Sequence, residues 1–113
     1  MSEHYLKNIE AGQVLSLAGL VTYQPGQVVS RTLAQNKALS LTVFAFDKDE
    51  EISSHSSQGD AMVTVLEGKA KVTIGDESYA LSEGETIVMP AGIPHAVSAE
   101  GPFKMFLTVV FPV

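Results

Sequence analysis

The 113-residue chain contains no cysteine, which excludes disulfides, thiolate metal sites and cysteine nucleophiles together. Cations are scarce as well. Seven Lys and Arg stand against thirteen Asp and Glu, Arg31 is the single arginine, and the formal charge is −6 with a pI near 4.8. No basic cluster is available to displace counterions from phosphates, so nucleic acid is excluded as a partner. An anionic membrane surface fails for the same reason. No apolar run reaches the about 20 residues that a bilayer span needs. The polar N-terminus, SEHYLKNIEAGQ, does not look like a signal peptide, and a soluble cytoplasmic protein is the expectation. No linker, repeat or low-complexity stretch divides the chain, so residues 1–113 are read as a single domain. A chain of this length buries roughly two-thirds of its unfolded surface, enough for one core.

What the sequence does have is regular punctuation. From Gly59 onward, glycines fall at 59, 68, 75, 84, 92 and 101. Turn signals seven to nine residues apart leave segments too short for ordinary helices and predict an all-β sandwich or barrel. The segments agree. Ala70, Val72 and Ile74 alternate with Lys69, Lys71 and Thr73, the pattern of a half-buried strand. Gly75-Asp76 then makes a hairpin turn into Ser78–Leu81. Leu39, Leu41, Val43 and Ala45 form one face of another strand, with Ser40, Thr42, Phe44 and Phe46 on the other. The C-terminal strand sets Phe103, Met105, Leu107, Val109 and Phe111 against Lys104, Phe106, Thr108 and Val110. Val28–Leu33 reads as a strand, Val14–Leu17 as a short one, and Thr86–Met89 as a buried one.

Asp47–Gly59 (DKDEEISSHSSQG) is thirteen residues of mostly acids and serines with one histidine. It reads as a long polar loop, which is either functional or a plain solvated connection. Its serines have no acid–histidine–serine constellation around them and are loop residues. Histidines occur at 4, 55 and 95. His4 lies in the polar N-terminal segment and reads as solvated. His95 follows a turn stiffened by Pro90 and Pro94 and shares a strand face with Val97 and Ala99, which directs it inward. A buried imidazole there needs a hydrogen-bond partner, a metal or a ligand. Taken alone, such a histidine is a satisfied core residue more often than a ligand.

Gly84-x5-Pro90-x-Gly92-x2-His95 resembles the second signature motif of the cupin superfamily. The family's first motif has the form G-x5-H-x-H-x3-E-x6-G. Anchored on Gly68, it places His55 on the first histidine, Ser57 on the second, Ala61 on the glutamate and Asp49 on the opening glycine. The resemblance implies a double-stranded β-helix, or jelly-roll, barrel. In metal-bearing members three histidines and a carboxylate hold iron, manganese, nickel, zinc or copper inside the barrel, and other members bind small molecules there without a metal.

Carried over residue by residue, two ligands remain, His55 and His95. Ser57 and Ala61 replace the other two, and Ala99 stands at the motif's closing asparagine. A divalent metal held by two imidazoles leaves positions to water or substrate, whereas stable catalytic zinc sites usually keep three protein ligands. The expectation is therefore a loosely held metal or none. Asp60 sits beside the lost carboxylate position, but strict alternation points it away unless a bulge near Gly59 re-aims it. Glu50, Glu51 and Lys104 are weaker candidates for the barrel mouth. Met62, Met89 and Met105, with Ser57 and Ala61, are the expected lining of a ligand pocket, although each methionine also reads as an ordinary core residue.

The expected function is the binding of a small molecule in that cavity, with a weakly held divalent metal at His55 and His95. The alternatives are a metal-dependent enzyme of oxygenase or isomerase type and a non-catalytic scaffold. Phe44, Phe46, Phe106 and Val110 lie opposite the faces read as core-directed, so a homodimer burying them is expected.

Overall fold

A computed structural model describes residues 5–113, so His4 lies outside the described residues. Nine strands are formed among the described residues: β1 Val28–Gln35, β2 Leu39–Phe46, β3 Glu51–His55, β4 Asp60–Glu67, β5 Lys69–Ile74, β6 Glu77–Ser82, β7 Thr86–Met89, β8 His95–Ser98 and β9 Phe103–Val110. They form two antiparallel sheets, β1-β2-β9-β4-β7 and β3-β8-β5-β6. This is the all-β jelly roll expected. Among the described residues the single helical element is one 3₁₀ turn at Leu17–Leu20, where the sequence reading placed a short strand at Val14–Leu17. Val14 is fully exposed and has no neighbouring strand, so apolar content alone did not make it one.

The main core lies between the sheets. Ala61, Val63 and Val65 of β4, Ala70 and Val72 of β5, and Phe103 and Met105 of β9 are all buried. Phe46 and Phe103, opposite one another on β2 and β9, stack with ring centroids 4.5 Å apart and close one end of this interior. Gly68 makes the β4–β5 turn with φ +76°, and a Cβ there would lie 2.5 Å from the Pro102 carbonyl oxygen. Only glycine fits both the backbone conformation and the approach.

The interior face of β2 is the opposite of the one expected. Register places Phe44 against Met105 and Phe46 against Phe103, on the side of the core. Leu41, Val43 and Ala45 face outward, yet Val43 and Ala45 are completely buried. They form a second cluster with Phe106, and Ile9, Leu17, Leu20, Val21 and Tyr23 of the N-terminal segment pack against it. The segment is pinned where it crosses: Lys104 Nζ donates to the Ala18 carbonyl at 2.7 Å, and the Tyr23 hydroxyl donates to Glu67 Oε2. Both sides of β2 are apolar because each side has its own core. The patch invoked for pairing two copies is thus largely filled from within the chain. Of its four residues only Val110 is exposed.

Two further elements depart from the sequence reading. The stretch expected as a polar loop contains β3, an edge strand with only Ile52 half-buried. Its alternation is invisible in the sequence because nearly all its side chains face water. β7 is likewise an edge strand, with Met89 buried and Val88 half-exposed. Thr86–Met89 is therefore not the buried strand its composition suggested. Among the described residues no helix is long and apolar enough to cross a membrane.

Candidate metal and ligand site

His55 ends β3 and His95 begins β8, and the two are direct cross-strand partners. A bulge creates this pairing. Ile52 opposes Val97 and His55 opposes His95, so β3 spends three residues where β8 spends two. In a regular strand Ile52 and His55 would face opposite sides. The extra residue at Ser53–Ser54 brings both side chains inward. On the other strand, Pro90, Gly92 (φ +79°) and Pro94 shape the turn that delivers His95. That turn is tied down by Gly92 N–H donating to the Ser57 carbonyl at 2.8 Å and by Ala91 N–H donating to Asp60 Oδ1 at 2.8 Å.

The imidazole rings lie edge to face with centroids 4.5 Å apart. His95 is buried and His55 is exposed. Each Nδ1 lies on a backbone carbonyl, His55 on Ser53 at 3.0 Å and His95 on Ile93 at 3.3 Å. A carbonyl oxygen only accepts, so Nδ1 carries the proton in both rings and the lone pair of the neutral form sits on Nε2. This carbonyl anchoring of the distal nitrogen is what metal-ligating histidines need from their surroundings. Burial, reinforced by the neighbouring His55, pulls the His95 pKa below the ordinary histidine range, against the opposing effect of the Ile93 carbonyl. His95 is therefore neutral at pH 7. With Zn–N bonds of about 2.1 Å, two imidazoles set at 90–109° on one ion have centroids about 4.5 to 5 Å apart. The observed spacing fits.

Both rings line a cavity of ≈ 360 Å³ between the sheets, together with Ser57, Ala61, Met89 and Met105. Met62 does not join them. It faces the opposite side of β4 from Ala61, opposite Val88 and Thr108, and is exposed. Alternation along β4 decides this: Ala61, Val63 and Val65 take the interior, so Met62 cannot. Asp60 is held at Ala91, and β4 stays in register with both of its neighbours there. No bulge turns it toward the histidines. Neither Glu50 nor Glu51 lines the cavity, and Lys104 is engaged on the outer face. Among the described residues no group of three or more metal-ligating His, Cys, Asp or Glu side chains exists.

Sequence reasoning missed Ser40, Phe44, Ile52, Leu107, Val109 and Phe111, which also line the cavity. The signal was present for Leu107 and Val109, on the face of β9 read as core. For Ser40 and Phe44 it was hidden by the choice of the wrong face of β2. A larger cavity of ≈ 520 Å³ lies between the β5–β6 hairpin and residues 100–102, lined by Lys69, Lys71, Tyr79 and Glu100 among others. It holds no pair of groups poised for coordination.

Comparison with known proteins agrees with this architecture. The sequence profile of the cupin domain matches residues 42–111, and the chain belongs to that family. A conserved protein of unknown function from Streptococcus pyogenes is 51% identical, with 100% of this chain and 99% of that one covered and a TM-score of 0.97. A cupin superfamily protein from Desulfitobacterium hafniense is 31% identical over 95% of this chain and 98% of its own, with a TM-score of 0.91. A cupin 2 conserved barrel domain protein from Leptotrichia buccalis is 42% identical over 82% of this chain but only 45% of its own length, with a TM-score of 0.81. No curated protein matches.

Proposed function

We propose that the protein binds a small molecule in the cavity between its sheets, with a loosely held divalent transition metal between His55 and His95. The observation that carries this reading is the pair of adjacent, edge-to-face imidazoles, both anchored through Nδ1, which leaves the lone pair of each on Nε2. His55 and His95 would hold the ion. Zinc, nickel, iron, manganese and copper all accept imidazole, with copper and nickel favoured over manganese and iron. Such an ion, when bound, supplies Lewis-acid polarisation of a ligand oxygen. The chain itself offers Ser57, whose hydroxyl is oriented by Gly59 N–H at 3.1 Å; when no metal occupies the site, the neutral His95 can instead accept a proton at Nε2. Ala61 contributes no donor and leaves room beside Val109 and Met89, its neighbours in register.

The test is a calorimetric titration of chelator-stripped protein with Zn(II) and Ni(II), run beside His55→Ala. One weak site per chain that vanishes in the variant supports the reading. Equal heats from both proteins refute it.

We propose that a homodimer pairs through the outer face of the five-stranded sheet, which keeps Val110 of the expected patch but not Phe44 and Phe46, both of which face the interior. The exposed Met62, Val88 and Val110 adjoin one another on β4, β7 and β9, and we place the pairing surface there. A mass of 12.0 kDa by light scattering at micromolar concentration counts against it.

A further inference from the structure

The cavity lining is graded along its depth. Across the five-stranded sheet, register aligns Gln35, Ser40, Val109, Ala61 and Met89 as one row. Phe44 and Met105 face each other two rows further in, and the stacked Phe46–Phe103 pair forms the floor beyond them. In the opposing sheet His55 and His95 stand at the same end as the outer row, one short connection from the start of β4 and the end of β7, while Ile52 and Val97 lie further along their strands. Polar groups thus collect at the mouth, where Gln35, His55 and Ser56 are exposed. The deeper lining is apolar, with Met105 and Val97 buried; the buried Thr42, one row in on β2, is not among the lining residues.

Charge completes the picture. None of the fifteen lining residues is Asp, Glu, Lys or Arg. With no metal at the histidines, a phosphate or dicarboxylate entering this space would be an unpaired buried anion, which is costly. A sugar would lose water from several hydroxyls and find apolar carbon against most of them. The volume of ≈ 360 Å³ lies near the lower end of the about 300–1,000 Å³ typical of ligand pockets, so the occupant is compact.

We infer that the ligand is a compact, uncharged amphiphile: an apolar ring or short branched chain seated against Phe44, Met105 and Val97, with one polar head group at the imidazoles. The inference rests on the cavity being the binding site, as proposed above, but not on a metal being present. The apolar end enters first because the floor offers no hydrogen-bond partner. The head group stays at the mouth, where His55, His95 and Ser57 supply both donors and acceptors.

Three small probes separate the classes: 4-ethylphenol, 4-ethylphenyl phosphate and glucose, each titrated into isotope-labelled protein containing excess EDTA. The expected result is saturable shifts from 4-ethylphenol at the methyl groups of Ile52, Val97, Met105 and Leu107, with none from the other two. Ala61→Leu extends a side chain into the outer row and should weaken 4-ethylphenol at least tenfold. Ser40→Leu, on the same row but a half-exposed position, provides the same reading should Ala61→Leu fail to fold. Shifts from the phosphate equal to or larger than those from the phenol overturn the inference. So does 4-ethylphenol binding that both variants leave unchanged. A parallel Zn(II) titration keeps the two proposals apart. Zinc uptake without phenol binding overturns the ligand class and leaves the metal site standing. Phenol binding without zinc uptake supports the ligand class and removes the metal.

Discussion

Replacing His95 by alanine sets a functional reading of this residue against a purely structural one. Its imidazole is 4% exposed, and truncating a large side chain in a sealed core costs about 3–5 kcal/mol. His95 does not sit in a sealed core. It borders the ≈ 360 Å³ cavity, so alanine enlarges an existing space rather than opening a new one. The lost hydrogen bond to the Ile93 carbonyl has a net worth of about 1 kcal/mol, and Ile93 is at the surface, where water replaces the donor. A total loss of about 1–2 kcal/mol follows, which lowers the melting temperature by about 4–10 °C for a domain of this size. Metal binding, in contrast, should disappear, because the proposed site would keep only one of its two imidazoles. The pH dependence adds an independent check. Since the folded-state pKa of His95 is lowered, the unfolded chain binds more protons than the folded one below about pH 6.5. The contribution is present above that value and is lost as pH falls through the window toward the folded-state pKa. Wild type should therefore lose stability on acidification from pH 7 to 5 more steeply than His95→Ala. Circular dichroism melts at several pH values beside Zn(II) calorimetry read both quantities. A melting temperature lowered by more than about 15 °C, with zinc binding unchanged, refutes the reasoning and makes His95 a packing residue.

Restoring the missing ligands is the converse experiment. The double substitution Ser57→His and Ala61→Glu should raise Zn(II) affinity at least about 100-fold by completing a four-ligand set, measured by competition with a chelating dye; no gain would mean that these positions do not converge on the histidines. Gly68→Ala should cost more than about 2 kcal/mol, read in urea melts, since its Cβ would strike the Pro102 carbonyl and the backbone is left-handed; a loss under 0.5 kcal/mol, the size of an ordinary surface substitution, rejects the close approach. Tyr23→Phe removes the hydroxyl that pins the N-terminal segment to Glu67. Because Glu67 is largely solvent-accessible, 47% at the side chain, the cost should be about 1 kcal/mol, with hydrogen exchange accelerating along Leu17–Tyr23; unchanged exchange there means the bond does not hold the segment. In wild type the Tyr23 phenol, desolvated and facing the Glu67 carboxylate, should stay protonated well above the ordinary tyrosine range in an ultraviolet titration.

The sequence by itself determined the class of fold and one end of the site. Glycines at turn spacing, with period-two segments between them, left no room for helices. The Pro90, Gly92 and His95 spacing located the buried histidine, because local turn chemistry and a short strand are properties of neighbouring residues. What only the tertiary structure decided were the facts that depend on partners far along the chain. β3 has no apolar alternation of its own and exists because β8 pairs with it. A single extra residue in that pairing turns His55 inward beside His95. β2 is apolar on both faces, and nothing local says which face meets β9's core side. Register with Met105 and Phe103 assigns Phe44 and Phe46 to the interior, and the N-terminal segment covers the other face. The same alternation that placed Ala61 in the cavity sent Met62 to the surface. Local sequence sets the period of a strand, but the direction in which each face points is fixed only when a neighbour in space takes one side.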